Sequence, residues 1–373
     1  MKKWMKILLS GLLYAGLLGY ANLPAITSSP QKFQLGTGQM VETARILWAG
    51  EPVLTPGNGS SQPLEIQVSG GFFADEVFET SLILEEGVFR EFQEGERIIL
   101  NIFFRNGEIF LIQPRGLDRT PLLLGAVLVF AALMGLIGGK KGLRALAGLA
   151  FTMVSLVFIL IPLMRQGYPV ILLTLLLTLI VGYVTLQLIG GSREKVATAL
   201  AGTLFGVMFA LIFSTIISRL LHLTALDSHM TLQIVNLTEM TLRQGGDLFL
   251  SSVLIASLGA VMDTAVSVAS ALEEIRLARP GISPRKLFIS GMNVGRDTMG
   301  SMSNTLILAF AGSSLGLMIL LQVQEIPWRT WVNDPYIVME IVRSLAGSSG
   351  IILTIPAVAA TGAILMGQVP PNG

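Results

Sequence analysis

Asp263 lies in the middle of an apolar run at 248–272. An acid placed there costs several kcal/mol by most measures, so it usually faces protein or water and carries function. On a helix, Ser252, Ala256, Gly259, Asp263, Ser267, Ser270 and Glu274 recur every three or four residues and share one face. Each of them is small or polar. A second cluster follows in the next apolar stretch. Asn293, Asp297, Gly300 and Asn304 fall on one helical face with Ser301 beside them, and Gly291, Gly295 and Gly300 let helices approach closely. The spans carrying Asp263 and Asp297 are consecutive and antiparallel. Their carboxylates, carboxamides and hydroxyls can meet near the cytoplasmic half of the membrane. Hard oxygen ligands of this kind suit a cation or a proton relay.

Asp263, Ser267, Ser270, Asn293, Arg296, Asp297 and Asn304 are therefore the candidate transport or ion site. Arg296 is an ion-pair or orienting residue in that reading. The expected geometry packs the two spans through their Gly and Ser faces and turns Asp263, Ser267 and Ser270 into the bundle. The structural alternative makes Asp263 the partner of Arg296, the small residues packing positions, and Asp297 a solvated acid near a helix start, favoured by the macrodipole.

Other chemistry is thinly represented. With no cysteine, disulfides, thiolate metal sites and cysteine catalysis are excluded. No Walker, dinucleotide, His-Glu-x-x-His or Gly-x-Ser-x-Gly motif occurs. No cofactor and no nucleic acid is expected, and an intramembrane enzyme built on the Asp pair lacks a recognisable catalytic motif, so the chain is not read as an enzyme. His222 and His229 flank Asp227, but loop histidines usually bind no metal. Glu273-Glu274 reads as a solvated helix terminus.

The elements that position the polar stripe follow from composition. Hydrophobic residues make up 52% of the chain and charged residues 13%, against roughly 25% charged in soluble domains. Several apolar runs are long enough to cross a bilayer. Residues 1–25 pair a Lys-rich start with an apolar stretch, a signal peptide or membrane anchor. Residues 26–118 form a separate, extracytoplasmic all-β domain. Within it, 27–118 hold 13 acidic and 6 basic residues, a net of −7. Leu64-Glu65-Ile66-Gln67-Val68 alternates as a strand does, and Arg105-Asn106-Gly107 joins strands at 97–104 and 108–112 as a tight hairpin. A barrel of five to six strands is expected. Residues 119–373 form a multi-span helical domain.

Spans are expected near 121–137, 143–163, 169–189, 196–217, 248–272, 298–321 and 344–366. Lys140, Lys141 and Arg144, then Arg193 and Lys195, then Arg276, Arg279, Arg285 and Lys286 all fall on one side with Lys2, Lys3 and Lys6. By the Lys/Arg bias that side is cytoplasmic. Met230, Ile234, Leu237 and Leu242 behind a Ser228 cap suggest an interfacial helix, and 285–292 a short cytoplasmic one. The fold class is thus a polytopic α-helical membrane protein of about seven spans plus an N-terminal signal or anchor, with a small all-β extracytoplasmic domain.

These residues also carry a resemblance. Ser257-Leu258-Gly259-Ala260-Val261-Met262-Asp263-Thr264-Ala265-Val266-Ser267, the run 290–300, the run 304–312, Glu340-Ile341-Val342-Arg343-Ser344-Leu345-Ala346-Gly347-Ser348 and the run 350–356 resemble the YibE/YibF-like family of bacterial integral membrane proteins. In looser form the likeness covers most of the chain from the β segment onward. Phe310 stands where members commonly have a tyrosine. The resemblance implies a multi-pass protein of the cell membrane and supplies no activity.

The first functional reading is a transporter or transport-associated permease, moving an ion or small solute past Asp263 and Asp297 by proton or cation coupling. The second is a non-transporting membrane scaffold or sensor whose acidic β domain binds an extracytoplasmic protein partner. In both, the lipid bilayer is the standing partner.

Overall fold

The structure is a computed structural model of the 373-residue chain and describes residues 37–55, 59–71, 73–84, 91–105, 108–223 and 229–367. The N-terminal segment, the Asn106-Gly107 turn and the Ser228 cap lie outside those residues. The chain divides into two compact units between Ile137 and Gly138.

The first unit is a strongly curved antiparallel sheet. Its strands are β1 (Thr37–Ala49), β2 (Val53–Thr55), β3 (Gly59–Val68), β4 (Val77–Leu84), β5 (Arg97–Arg105) and β6 (Glu108–Leu117). The order is β2-β3-β1-β5-β6, with β4 on β3. Period-two alternation puts Ala44, Ile46, Leu64, Ile66, Val68, Ile98, Leu100 and Ile102 on one buried face. Buried Gln62 closes the end by donating to Gly50 O at 3.1 Å and Phe92 O at 3.0 Å and accepting from Phe92 N at 2.9 Å. Thr80 Oγ1 on β4 donates to Ile112 O on β6 at 3.0 Å, so the sheet nearly closes into a barrel. A cleft of about 570 Å³ remains along that seam, beside Thr80 and Phe110. At the sheet's end Asp118 Oδ1 accepts from Thr120 N at 3.0 Å, and hydrogen bonding from the Thr120 side chain and then its backbone holds the Asp118 carboxyl below its usual range.

Helices make up the rest: α1 (Thr120–Ser155), a π-helical turn (Leu156–Leu160), α2 (Ile161–Arg165), α3 (Val170–Ile189), α4 (Arg193–Leu220), α5 (His229–Leu237), α6 (Leu242–Ala278), α7 (Pro284–Ser313), α8 (Leu315–Val323), α9 (Trp328–Val332) and α10 (Pro335–Met366). Among the described residues, five helical runs are long and apolar enough to cross a membrane, or six if α7 and α8, bent by 53°, count as one. The sequence reading of about seven differs because 121–137 and 143–163 belong to one run, Thr120–Arg165. Within it Gly139 leaves helical geometry at φ 51°, ψ −136°.

The helical unit is organised around α6 and α10, which supply about half of its buried side chains. Gly206 on α4 and Gly350 on α10 let three helices meet. A Cβ at Gly206 would lie 2.8 Å from Gly350 O and 2.8 Å from Val261 on α6. Across the same crossing Thr354 Oγ1 donates to Gly350 O in its own helix at 2.8 Å. Side-chain hydroxyls bonded back four residues are the usual way such groups are satisfied where water is absent.

Three boundaries differ from the sequence reading. Leu242 does not continue α5 but opens α6, where Thr241 and Gln244 form a reciprocal capping box. The short helix at 285–292 and residues 298–313 of the expected span are one helix, α7, entered through Pro284 and ended by the bend at Ser314, beyond which the rest of that span is α8. The last helix begins not near 344 but at Pro335, where Asp334 Oδ1 accepts from Tyr336 N and Ile337 N.

Candidate functional site

Helix α6 buries one side and leaves the other open. Val261, Thr264, Ala265, Val268 and Ala269 are buried against the unit's interior. Asp263 and Ser267 are exposed, Ser270 is half-buried, and nothing lies within 4 Å of a Cβ built on Gly259. The polar stripe therefore looks outward from the helical unit, the reverse of the inward orientation expected from the cost of exposing an acid to hydrocarbon. The reason lies in α10. Its Gly347 and Gly350 take the close contacts with Ser257 and Val261, so the small-residue crossing forms there and not along the Asp263 face.

Helix α7 behaves alike. Only Leu287, Gly291 and Gly295 on it are buried. The two glycines pack on Ala359 and Ile355 of α10, and Leu306 reaches Gly347. Asn293, Arg296, Asp297, Gly300, Ser301 and Asn304 are all exposed. Thus α7 packs mainly on α10, and the expected packing of α6 on α7 through their polar faces is not what joins them.

The packing registers still bring the acids to one depth. Val261 sits beside Gly350 and Leu272 beside Gly362, so α6 runs parallel to α10. Gly291 sits beside Ala359 and Gly295 beside Ile355, so α7 runs antiparallel to it. Asp263 and Asp297, each two residues past a contact, both fall between the levels of Gly350 and Ile355, within about one helical turn. Neither acid, nor Arg296, has a charged partner among the described residues. The pairing of Asp263 with Arg296 is therefore not made within the chain.

A further constellation escaped the sequence reading. Arg343 Nη1 on α10 pairs with Glu340 Oε1 at 2.5 Å, and its Nη2 donates to Ser252 Oγ on α6 at 3.0 Å. The guanidinium carbon lies 5.8 Å from the ring centroids of both Phe249 and Phe310. Phe310, at the tyrosine position of the resemblance, thus meets the cation with its ring. Glu340 is 9% exposed, and its Oε2 and Arg343 Nε are buried without a partner. This cluster covers the Ser252 end of the stripe that Asp263 occupies further down. The signal was the charge pair at i and i+3, which a hydropathy boundary placed near 344 excluded from the helix.

The other end is also anchored. Glu273 is not merely a solvated terminus: it accepts from Ser192 N at 3.0 Å and pairs with Lys195 at 3.3 Å, tying α6 to the start of α4. Glu274 beside it is exposed, continuing the stripe. Near the Ser252 end, a cavity of about 680 Å³ between α3, α4 and α6 is lined by Ser218, Arg219, Arg243, Asp247 and Phe249 among others. Among the described residues no cluster of three metal-ligating side chains occurs.

Long apolar helices that meet at small-residue crossings are consistent with a helical membrane protein. Residues 126–368 match the family described as YibE/F-like protein, and the chain belongs to that family. No curated protein and no solved structure matches the chain.

Proposed function

We propose that this chain is a transporter or transport-associated permease of the bacterial cell membrane, passing a proton, cation or small solute along the polar face of α6 and α7. The observation that carries this is Asp263: an acid deep in a long apolar helix, without a counter-charge among the described residues, at the depth of Asp297. An intramembrane acid that no described residue of its own chain neutralises is a candidate for exchanging a proton or cation. Ser267, Ser270 and Glu274 continue as oxygens toward one end, with Asn293, Asp297 and Asn304 on the adjoining helix. At the other end Ser252 is held by Arg343, so the path is open toward Glu274 and closed by the Glu340–Arg343 pair. No enzymatic step is assigned.

The topology we propose has seven crossings. A straight run of the 46 residues Thr120–Arg165 would measure about 69 Å, more than twice the roughly 30 Å hydrocarbon core. The break at Gly139 supports two crossings there. The Lys/Arg bias then supports a cytoplasmic N-terminus, an extracytoplasmic β domain, and Glu274 on the cytoplasmic side.

A second reading rests on the β unit. The cleft between β4 and β6 offers strand edges to an extracytoplasmic protein partner, and in that reading the chain is a non-transporting scaffold or sensor.

Single cysteines placed along α6 in this cysteine-free chain separate the two. In the transport reading a charged, membrane-impermeant thiol reagent applied from the cytoplasmic side modifies Ser270→Cys and Ser267→Cys and fails at Ser252→Cys. Protection of all three positions from water would sink the path.

A further inference from the structure

The open face of α6 and α7 poses a physical problem that the described residues do not solve. Asn293 and Asn304 bound an exposed polar stretch of α7 that is about 16 Å long at 1.5 Å per residue, roughly half of a hydrocarbon core. It carries Arg296 and Asp297, and Asp263 stands level with them on α6. Left against lipid, three charged groups would each cost several kcal/mol. Something polar must cover them.

An uncharged apolar stretch cannot neutralise them. Residues 7–18 and 121–137 contain no charged side chain, so neither can neutralise Arg296 or Asp263. A second copy can. Two copies inserted in the same sense are related by a two-fold axis along the membrane normal, and such an axis preserves depth. Residues at one level in one copy meet residues at that level in the other, and an isologous contact makes each pairing twice. Arg296 is one residue from Asp297, and Asp263 shares Asp297's level. The face is therefore self-complementary: Arg296 of each copy can meet Asp263 of its mate. Gly259 and Gly300, with nothing within 4 Å of their Cβ positions, leave room for close helix approach.

We propose that the α6–α7 polar face is the interface with a second copy of this chain, Arg296 of one copy pairing with Asp263 of the other, so that the ion site is completed between protomers. This rests on the reading of that face as the functional site and adds its partner. It also explains why Arg296 and Asp263, one positive and one negative group at one depth, remain unpaired among the described residues. The second carboxylate, Asp297, is left to face the shared path.

The test uses full-length protein in native membranes and a thiol-to-thiol crosslinker. Gly300→Cys and Ser301→Cys are compared with Leu176→Cys and Ile180→Cys, which are exposed on α3. The proposal expects a species of twice the chain's mass at the first two positions, several-fold stronger than at the second two. It also expects Arg296→Gln and Asp263→Asn each to weaken association in lipid about tenfold or more, with the double variant no weaker than either single one. Crosslinking no stronger on α7 than on α3, or strictly additive losses, would overturn the two-copy site. Flux separates this from the functional reading. Vesicles holding a single copy that still show Asp263-dependent flux refute the shared site and keep transport. Dimers with the expected coupling but no flux keep the interface and refute transport.

Discussion

Replacing Arg343 by methionine should be among the most damaging single changes in the helical unit. The guanidinium makes a 2.5 Å pair with Glu340, a 3.0 Å hydrogen bond to Ser252 and stands 5.8 Å from two phenyl rings. Glu340 is 9% exposed, so the substitution leaves its carboxylate buried without a counter-charge. Breaking a buried pair in that way costs roughly 3–5 kcal/mol. Methionine keeps much of the aliphatic contact with Phe249 and Phe310, so packing loss is a minor part of the effect. Glu340→Gln combined with Arg343→Met removes both charges, and the double variant should return to within about 2 kcal/mol of the parent. Unfolding free energies of the four proteins in mixed micelles give the coupling directly. The reasoning fails if Arg343→Met alone costs less than about 1 kcal/mol, or if the double variant is no milder than the single one.

Two further outcomes follow from the packing and the topology. Gly206→Ala should destabilise by about 1–3 kcal/mol or more, because its Cβ meets Gly350 backbone, whereas Gly246→Ala, with open space, should be neutral or stabilise by up to about 1 kcal/mol; chemical unfolding distinguishes them. Asn58→Cys should react with impermeant reagent only from outside and Lys141→Cys only from the cytoplasm; labelling of Asn58→Cys from the cytoplasmic side would reverse the proposed orientation.

What the sequence made legible, and what it hid, follow from the same physics. Alternation such as Leu64-Glu65-Ile66-Gln67-Val68 specified a strand and which side is core, because a two-residue period admits one buried face. Periodicity on α6 likewise specified that Ser252, Gly259, Asp263 and Ser267 share a face, but not what that face meets. The direction was decided by α10, whose glycines at 347 and 350 compete for the same close approach. Glu340 and Arg343 were placed outside the helix because hydropathy treats each charge as a penalty, and two charges that cancel at 2.5 Å carry far less. The continuity of α7 from Pro284 into the span read from 298 was hidden for a related reason: Arg296 and Asp297 interrupt an apolar pattern without interrupting a helix.

The account's central claim concerns Asp263, and the most direct measurement is flux into proteoliposomes under an imposed pH or cation gradient, with wild type and Asp263→Asn purified and melted in parallel. Asparagine preserves the shape and removes the charge. A proton or cation carrier predicts flux in the wild type, its loss in Asp263→Asn, and folding and membrane insertion of the variant nearly intact. Equal flux in the two proteins, or none in the wild type across a panel of protons, monovalent and divalent cations, would contradict it.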